Sequence, residues 1–167
     1  ARDKDGVGSA LVVSDLAAWC SSRGLTLFGY LEEVQRAHGL FLARQANFTF
    51  PGTSGAAVIR GIMGGFRKQP PSRIGELGVT AALDYQSGVG MLPKADVVAY
   101  ELDGGSRVTL RPSGTEPKIK IYFELKEAGG SGEAIAAARE RGEKRLAALE
   151  TACLELAHSR GLPRGGG

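Results

Sequence analysis

Arg111, Ser113 and Thr115 fall within one short run, Arg111-Pro112-Ser113-Gly114-Thr115-Glu116-Pro117, and together they supply the donor types that a phosphate accepts. The guanidinium of Arg111 is a planar fork matched to phosphate oxygens, and the two hydroxyls add single donors. Gly114 lets backbone N–H groups approach an anion with no side chain in between. Pro112 and Pro117 stiffen the two ends. Glu116 would repel a phosphate if it faced one, so its expected part is structural, accepting from the backbone or from a nearby cation. Lys118 and Lys120 follow directly and are candidates for electrostatic support, with a solvated strand face as the equal alternative. Such a run is also what an ordinary turn looks like, so the residues alone leave phosphate binding and plain turn chemistry both open.

The flanking strands decide which way the loop faces. In 106–110, Val108 and Leu110 alternate against Arg107 and Thr109, which places Arg111 on the polar face. After the loop, Ile119, Ile121, Phe123 and Leu125 alternate against Lys118, Lys120, Tyr122, Glu124 and Lys126. One face of this strand is dry and the other wet. Upstream, Asp103-Gly104-Gly105 signals a tight turn after a strand over 94–102, and 73–86 and 40–50 read as further strands.

Four helices complete the pattern. Asp5 caps the first, whose Val7, Leu11, Val12, Leu16 and Trp19 recur at helical spacing before Arg23-Gly24 stops it. Trp19 is expected to anchor its core side. Thr26 caps the second, with Leu27, Phe28, Leu31 and Val34 as its stripe and His38-Gly39 at its end. Pro51-Gly52-Thr53-Ser54 announces a third, carrying Val58, Ile59, Ile62, Met63 and Phe66 on one face and closed by Pro70-Pro71. Its start imitates an anion loop at a helix N-terminus, but the turn holds no Arg or Lys, which favours a plain cap. A Gly129-Gly130-Ser131-Gly132 break leads into the last helix over 133–158. His38 and His158 sit at helix ends, where a cationic ring suits the dipole.

This order predicts an α+β fold, an antiparallel sheet with helices packed on one face, preceded by two helices that belong to another unit. The expected boundaries are 1–39 for the leading helices and connection, 40–160 for the sheet domain that carries the loop, and 161–167 for a disordered tail.

Composition narrows the class. The 167 residues can bury a core and fit one ordinary domain plus part of a second. Lys+Arg 21 against Asp+Glu 18 is a mild balance, which disfavours duplex nucleic acid as a partner. Cys20 and Cys153 are isolated and show no metal-ligand or disulfide spacing, as expected of buried thiols in a cytoplasmic protein. No apolar run reaches the length of a membrane span, and no signal-peptide pattern opens the chain. The start at Ala1 on a charged turn reads as a C-terminal piece of something longer.

The run 111–117 closely resembles the C-terminal phosphate loop of the α-D-phosphohexomutases, the phosphoglucomutase and phosphomannomutase superfamily. Asp3-Lys4-Asp5-Gly6-Val7 followed by an Ala/Leu helix resembles the end of that superfamily's third domain. Together with Gly114-Thr115-Glu116-Pro117-Lys118-Ile119-Lys120, it looks most like the phosphoglucomutase branch that includes phosphopentomutase-type enzymes. The resemblance implies a fourth domain similar to the TATA-binding-protein type of sheet. It also implies a parent isomerase that moves phosphate between the 1- and 6-positions of a sugar phosphate, with a phosphoserine, a Mg2+ site and a sugar-recognition loop, none of which occurs in this sequence. On that reading Arg111, Ser113, Gly114 and Thr115 bind the substrate phosphate, no residue here is catalytic or metal-binding, and the remaining domains of the parent are the partners. The alternatives are a stand-alone anion or nucleic-acid module, or an interaction domain derived from a mutase. Apolar surface on the leading helices would be exposed or paired in a dimer.

Overall fold

Two side-chain caps begin the chain's structure. The computed structural model describes residues 4–50, 52, 54–128 and 134–164. Asp5 accepts from the Gly8 N–H at 2.8 Å to start α1 (Gly6–Ser22), and Thr26 Oγ1 accepts from the Gly29 N–H at 3.0 Å to start α2 (Leu27–His38). Then follow β1 (Leu40–Thr49), α3 (Gly55–Lys68), β2 (Arg73–Ile74), β3 (Leu77–Asp84), β4 (Val98–Leu102), a 3-10 turn over Asp103–Gly105, β5 (Ser106–Pro112), β6 (Lys118–Glu127) and α4 (Ile135–Ser159). The strands form one sheet in the order β1-β6-β5-β4-β3-β2, with every neighbouring pair antiparallel. The expected α+β class holds.

The core lies between one face of this sheet and helices α3 and α4. Ile119, Ile121 and Phe123 of β6 are fully buried, as are Val108 and Leu110 of β5, and they meet Ile62, Met63 and Phe66 of α3 and Leu146, Leu149 and Cys153 of α4. Each large apolar side chain buried this way is worth about 1.5–3 kcal/mol. The α4 helix lies so near β1 that a Cβ on Gly142 would stand 2.5 Å from Leu42 Cδ1. Polar groups entering the core are matched. The Tyr100 hydroxyl donates to the Phe66 carbonyl at 3.0 Å, and burial pushes its pKa up to about 12. Glu127, 4% exposed at the end of β6, pairs with Arg141 at 2.7 Å and with Arg145, both on α4. Burial opposes the charge on Glu127, but these two guanidinium hydrogen bonds outweigh it and hold the carboxyl below its ordinary range.

Several expectations need correction. The strand over 73–86 is a short hairpin, because Gly75 takes φ +59 and turns the chain between β2 and β3. The strand over 94–102 is regular only from Val98, the preceding residues forming a loop over 85–97. Trp19 is 43% exposed: it stands edge-on to Tyr30 and under Arg23 instead of entering a core. Ser54 gives α3 no side-chain cap, and Pro51 and Thr53 lie outside the described residues. Of the expected disordered tail, Leu162 is instead buried in the core at 3% exposure, while 165–167 lie outside the described residues. The glycine-rich break over 129–132 also lies outside them.

Candidate functional site

The unhelical face of the sheet is open, and β5 and β6 carry its polar residues in register. Arg107 stands opposite Glu124, Thr109 opposite Tyr122 and Arg111 opposite Lys120. Arg111 is exposed on this face at the point where β5 gives way to the loop over 113–117. That loop is closed at its base by the Ser113 N–H donating to the Lys118 carbonyl at 2.7 Å, and by the Lys118 N–H donating to the Glu116 carbonyl at 2.7 Å. A third bond, from the Phe50 N–H to the Pro117 carbonyl at 2.8 Å, ties the loop to the end of β1. Beside it, the start of α3 packs so closely that a Cβ on Gly55 would lie 2.8 Å from Phe50 Cβ and 3.2 Å from Pro117 Cβ. The loop is therefore braced from two sides.

Its donors are left open. Among the described residues the N–H groups of Gly114, Thr115 and Glu116, the hydroxyls of Ser113 and Thr115, and the guanidinium of Arg111 have no hydrogen-bond or ion-pair partner. Three successive unbonded N–H groups, a guanidinium and two hydroxyls in one short run are the donor types that an anion accepts. Gly114 has an ordinary negative φ, and a Cβ there would meet nothing within 4 Å. Nothing in the chain's own packing demands glycine at this position.

The structure separates the two supporting lysines. Lys118 Nζ pairs with the Glu116 carboxylate at 2.8 Å, which accounts for the acidic residue as a brace. The hydrogen bond from Lys118, with its charge and that of Lys120, holds the Glu116 carboxyl below its ordinary range. Lys118 is thus spent on the loop's own acid. Lys120 acts on Glu116 only through its charge, forms no close ion pair among the described residues, and stands across from Arg111, adding positive potential to the same face.

Sequence reasoning missed the neighbouring ground. A depression of about 330 Å³ on the open face is lined by Tyr85, Arg107, Thr109, Arg111, Tyr122 and Glu124 together with Val97. Arg107 donates to the Tyr85 hydroxyl at 2.8 Å and lies 3.4 Å from the Glu101 carboxylate. Alternation had put Arg107 and Tyr122 on the polar face. Tyr85 could not be placed beside them, since that juxtaposition depends on the path of the loop over 85–97. Arg67 of α3 holds that loop at both ends, pairing with Asp84 at 3.1 Å and with Asp96.

The described residues contain no group of three or more His, Cys, Asp or Glu able to hold a metal ion, and no helix among them is long and apolar enough to cross a membrane.

Fold and site together define an α+β domain that presents a cationic, hydroxyl-bearing loop at one end of an open antiparallel sheet. Residues 67–141, which include this loop, match the family described as phosphoglucomutase/phosphomannomutase, C-terminal domain. A probable phosphomannomutase of Haemophilus influenzae is 32% identical over 125 residues, an alignment covering 75% of this chain and 24% of that protein. A phosphoglucomutase of Staphylococcus epidermidis is 36% identical over 135 residues, covering 74% and 24%. The crystal structure of pp63/parafusin, a phosphoglucomutase from Paramecium in an open form, superposes with a TM-score of 0.60 at 21% identity, over 99% of this chain and 29% of that one. That likeness shows the fold. The chain carries the C-terminal domain of the phosphoglucomutase/phosphomannomutase family. It spans about a quarter of the length of the curated relatives it matches.

Proposed function

We propose that this chain is the phosphate-binding portion of a sugar-phosphate mutase, and that Arg111, Ser113, Gly114 and Thr115 hold the non-reacting phosphate of the substrate. The observation that carries this is the set of unbonded donors at residues 111–116, in a loop braced from β1 and α3. Anchoring a remote phosphate contributes to rate by orienting the sugar for attack, so it belongs to catalysis although no bond changes there. The phosphoserine, the Mg2+ site and the sugar-recognition loop then come from other domains of the parent, a cytoplasmic enzyme. The leading helices α1 and α2 belong to the preceding domain on this reading, supported by Val7, Leu11, Val12 and Phe28, which are 67–85% exposed. The phosphoglucomutase branch is the finer assignment, resting on Asp3-Lys4-Asp5-Gly6-Val7 and on the residues after Gly114.

Magnitudes set what the chain does alone. A few charge-assisted hydrogen bonds at roughly 1.5–3 kcal/mol each work against an association cost of about 4–15 kcal/mol. The isolated chain therefore binds hexose phosphates at millimolar affinity or weaker and does not turn them over. In a complete mutase containing this chain, Arg111→Ala lowers kcat/KM at least a hundredfold, on the order of 3 kcal/mol of lost transition-state stabilisation. Unchanged kinetics in that variant would contradict the assignment and favour an interaction domain.

A further inference from the structure

The two edges of the sheet are unlike. One is β2, only two residues long; the other is β1, which runs for ten and has β6 as its sole strand neighbour. The β1–β6 register is unbroken from Leu40 opposite Glu127 to Thr49 opposite Lys118, and the Phe50 N–H continues the ladder to the Pro117 carbonyl. In an antiparallel pair, residues whose N–H and C=O reach the neighbour alternate with residues whose groups point away. Counting back from Phe50, the even residues of β1 bond to β6, so Phe41, Ala43, Gln45, Asn47 and Thr49 turn both backbone groups outward. None of these groups has a hydrogen-bond partner among the described residues. An edge is ordinarily guarded by short length, a proline, a bulge or an outward charge. β1 has none of these. Its one charge, Arg44, is turned to the covered face, where it pairs with Glu143 at 2.9 Å and Glu150 at 3.3 Å on α4.

We infer that the free edge of β1 receives the same edge of a second copy of this chain, paired antiparallel about a two-fold axis at Gln45. The inference is independent of the phosphate assignment. Outward-facing residues must stand opposite outward-facing residues, which leaves two near-complete overlaps, centred on residue 44 or on residue 45. Centring on Arg44 sets two guanidinium groups against each other. Centring on Gln45 sets Arg44 opposite Ala46 of the second copy, Leu42 opposite the half-buried Phe48, and Phe41 opposite Thr49. Every outward N–H then meets an outward C=O, with no like charges facing. The contact is self-complementary, as a two-fold interface requires.

Sedimentation equilibrium over a concentration series tests this, with Gln45→Lys, Gln45→Glu and Phe28→Ser alongside the wild-type chain. A strand-edge contact is small beside the roughly 1,200–2,000 Å² of a standard interface, so the wild-type chain forms a weak dimer that grows with concentration. Either charge variant alone sets like charges against each other on the two-fold and weakens association about fivefold; an equal mixture of the two recovers it as a heterodimer. Gln45 is exposed, its side chain bonds only to Asn47, and its N–H lies outside the β6 ladder, so both variants keep the wild-type unfolding midpoint. Phe28→Ser, on the exposed stripe of α2, leaves the dimer unchanged. A chain that stays monomeric into the millimolar range, a dimer indifferent to both charge variants, or a mixture that fails to recover would each overturn the inference. Loss of the dimer in Phe28→Ser would overturn it too and move the contact to the leading helices.

Discussion

The two faces of β6 are built from alternate residues of one strand, yet they differ in almost every physical respect. Ile119, Ile121, Phe123 and Leu125 are no more than 1% exposed and meet α3 and α4, whereas Lys120, Tyr122 and Glu124 look onto an uncovered face beside the loop over 113–117. The difference teaches that stability is carried by one face of the sheet, and on the proposed function recognition falls to the other. A substitution on the covered face should unfold the chain and say nothing about ligands. One on the open face or in the loop should do the reverse.

The largest effect expected from breaking this division is on the covered side. Phe123→Ala removes a fully buried ring at the centre of the sheet and should cost about 3–5 kcal/mol, seen as a lower denaturant midpoint. Next comes the charged node where the sheet meets α4. Glu127→Gln leaves Arg141 and Arg145 without their shared carboxylate, but both guanidinium groups are 41–45% exposed and can be hydrated, so the expected cost is about 1–3 kcal/mol. The pH dependence has a definite sign. Because the folded carboxyl of Glu127 is depressed, the unfolded chain binds the proton more readily, so this stabilisation is full above the unfolded pKa near 4.5 and is lost as pH falls through the folded value. Urea midpoints followed downward from neutral pH should fall more steeply in the wild-type chain than in Glu127→Gln.

The smallest effect on stability belongs to the loop. Gly114→Ala has an ordinary backbone conformation and open space for its methyl group, so the unfolding midpoint should move by no more than about 0.5 kcal/mol. On the proposed function a side chain at this position crowds a phosphate held by the neighbouring N–H groups, so phosphate affinity should fall severalfold. A large loss of stability would place Gly114 in the structural half of the comparison instead.

How much of this was readable beforehand depends on the range of the interactions. Period-two alternation around 106–125 separated core from open face residue by residue, and the caps at Asp5 and Thr26 were local signals that the structure repeats. What depends on the path of a loop was not readable. The pairing of Lys118 with Glu116, two residues apart, settled which lysine stays available only once the loop's path was known. Tyr85 reaches Arg107 because Arg67 fastens the loop over 85–97 at Asp84 and Asp96, a contact between distant segments that no local pattern announces. Trp19 misled for a related reason. Its helix has the spacing of a buried element, but among the described residues only Tyr30 and Arg23 make aromatic or cation–π contact with its ring.

The central claim is that residues 111–116 hold a phosphate through Arg111 and the loop's free N–H groups. An amide NMR titration of the chain with inorganic phosphate, at constant ionic strength and alongside Arg111→Ala, tests it most directly. The account predicts shifts concentrated at Gly114, Thr115 and Glu116 with millimolar or weaker affinity, and their loss in the variant at unchanged unfolding midpoint. Shifts scattered over the surface, or a response equal in Arg111→Ala, would contradict it.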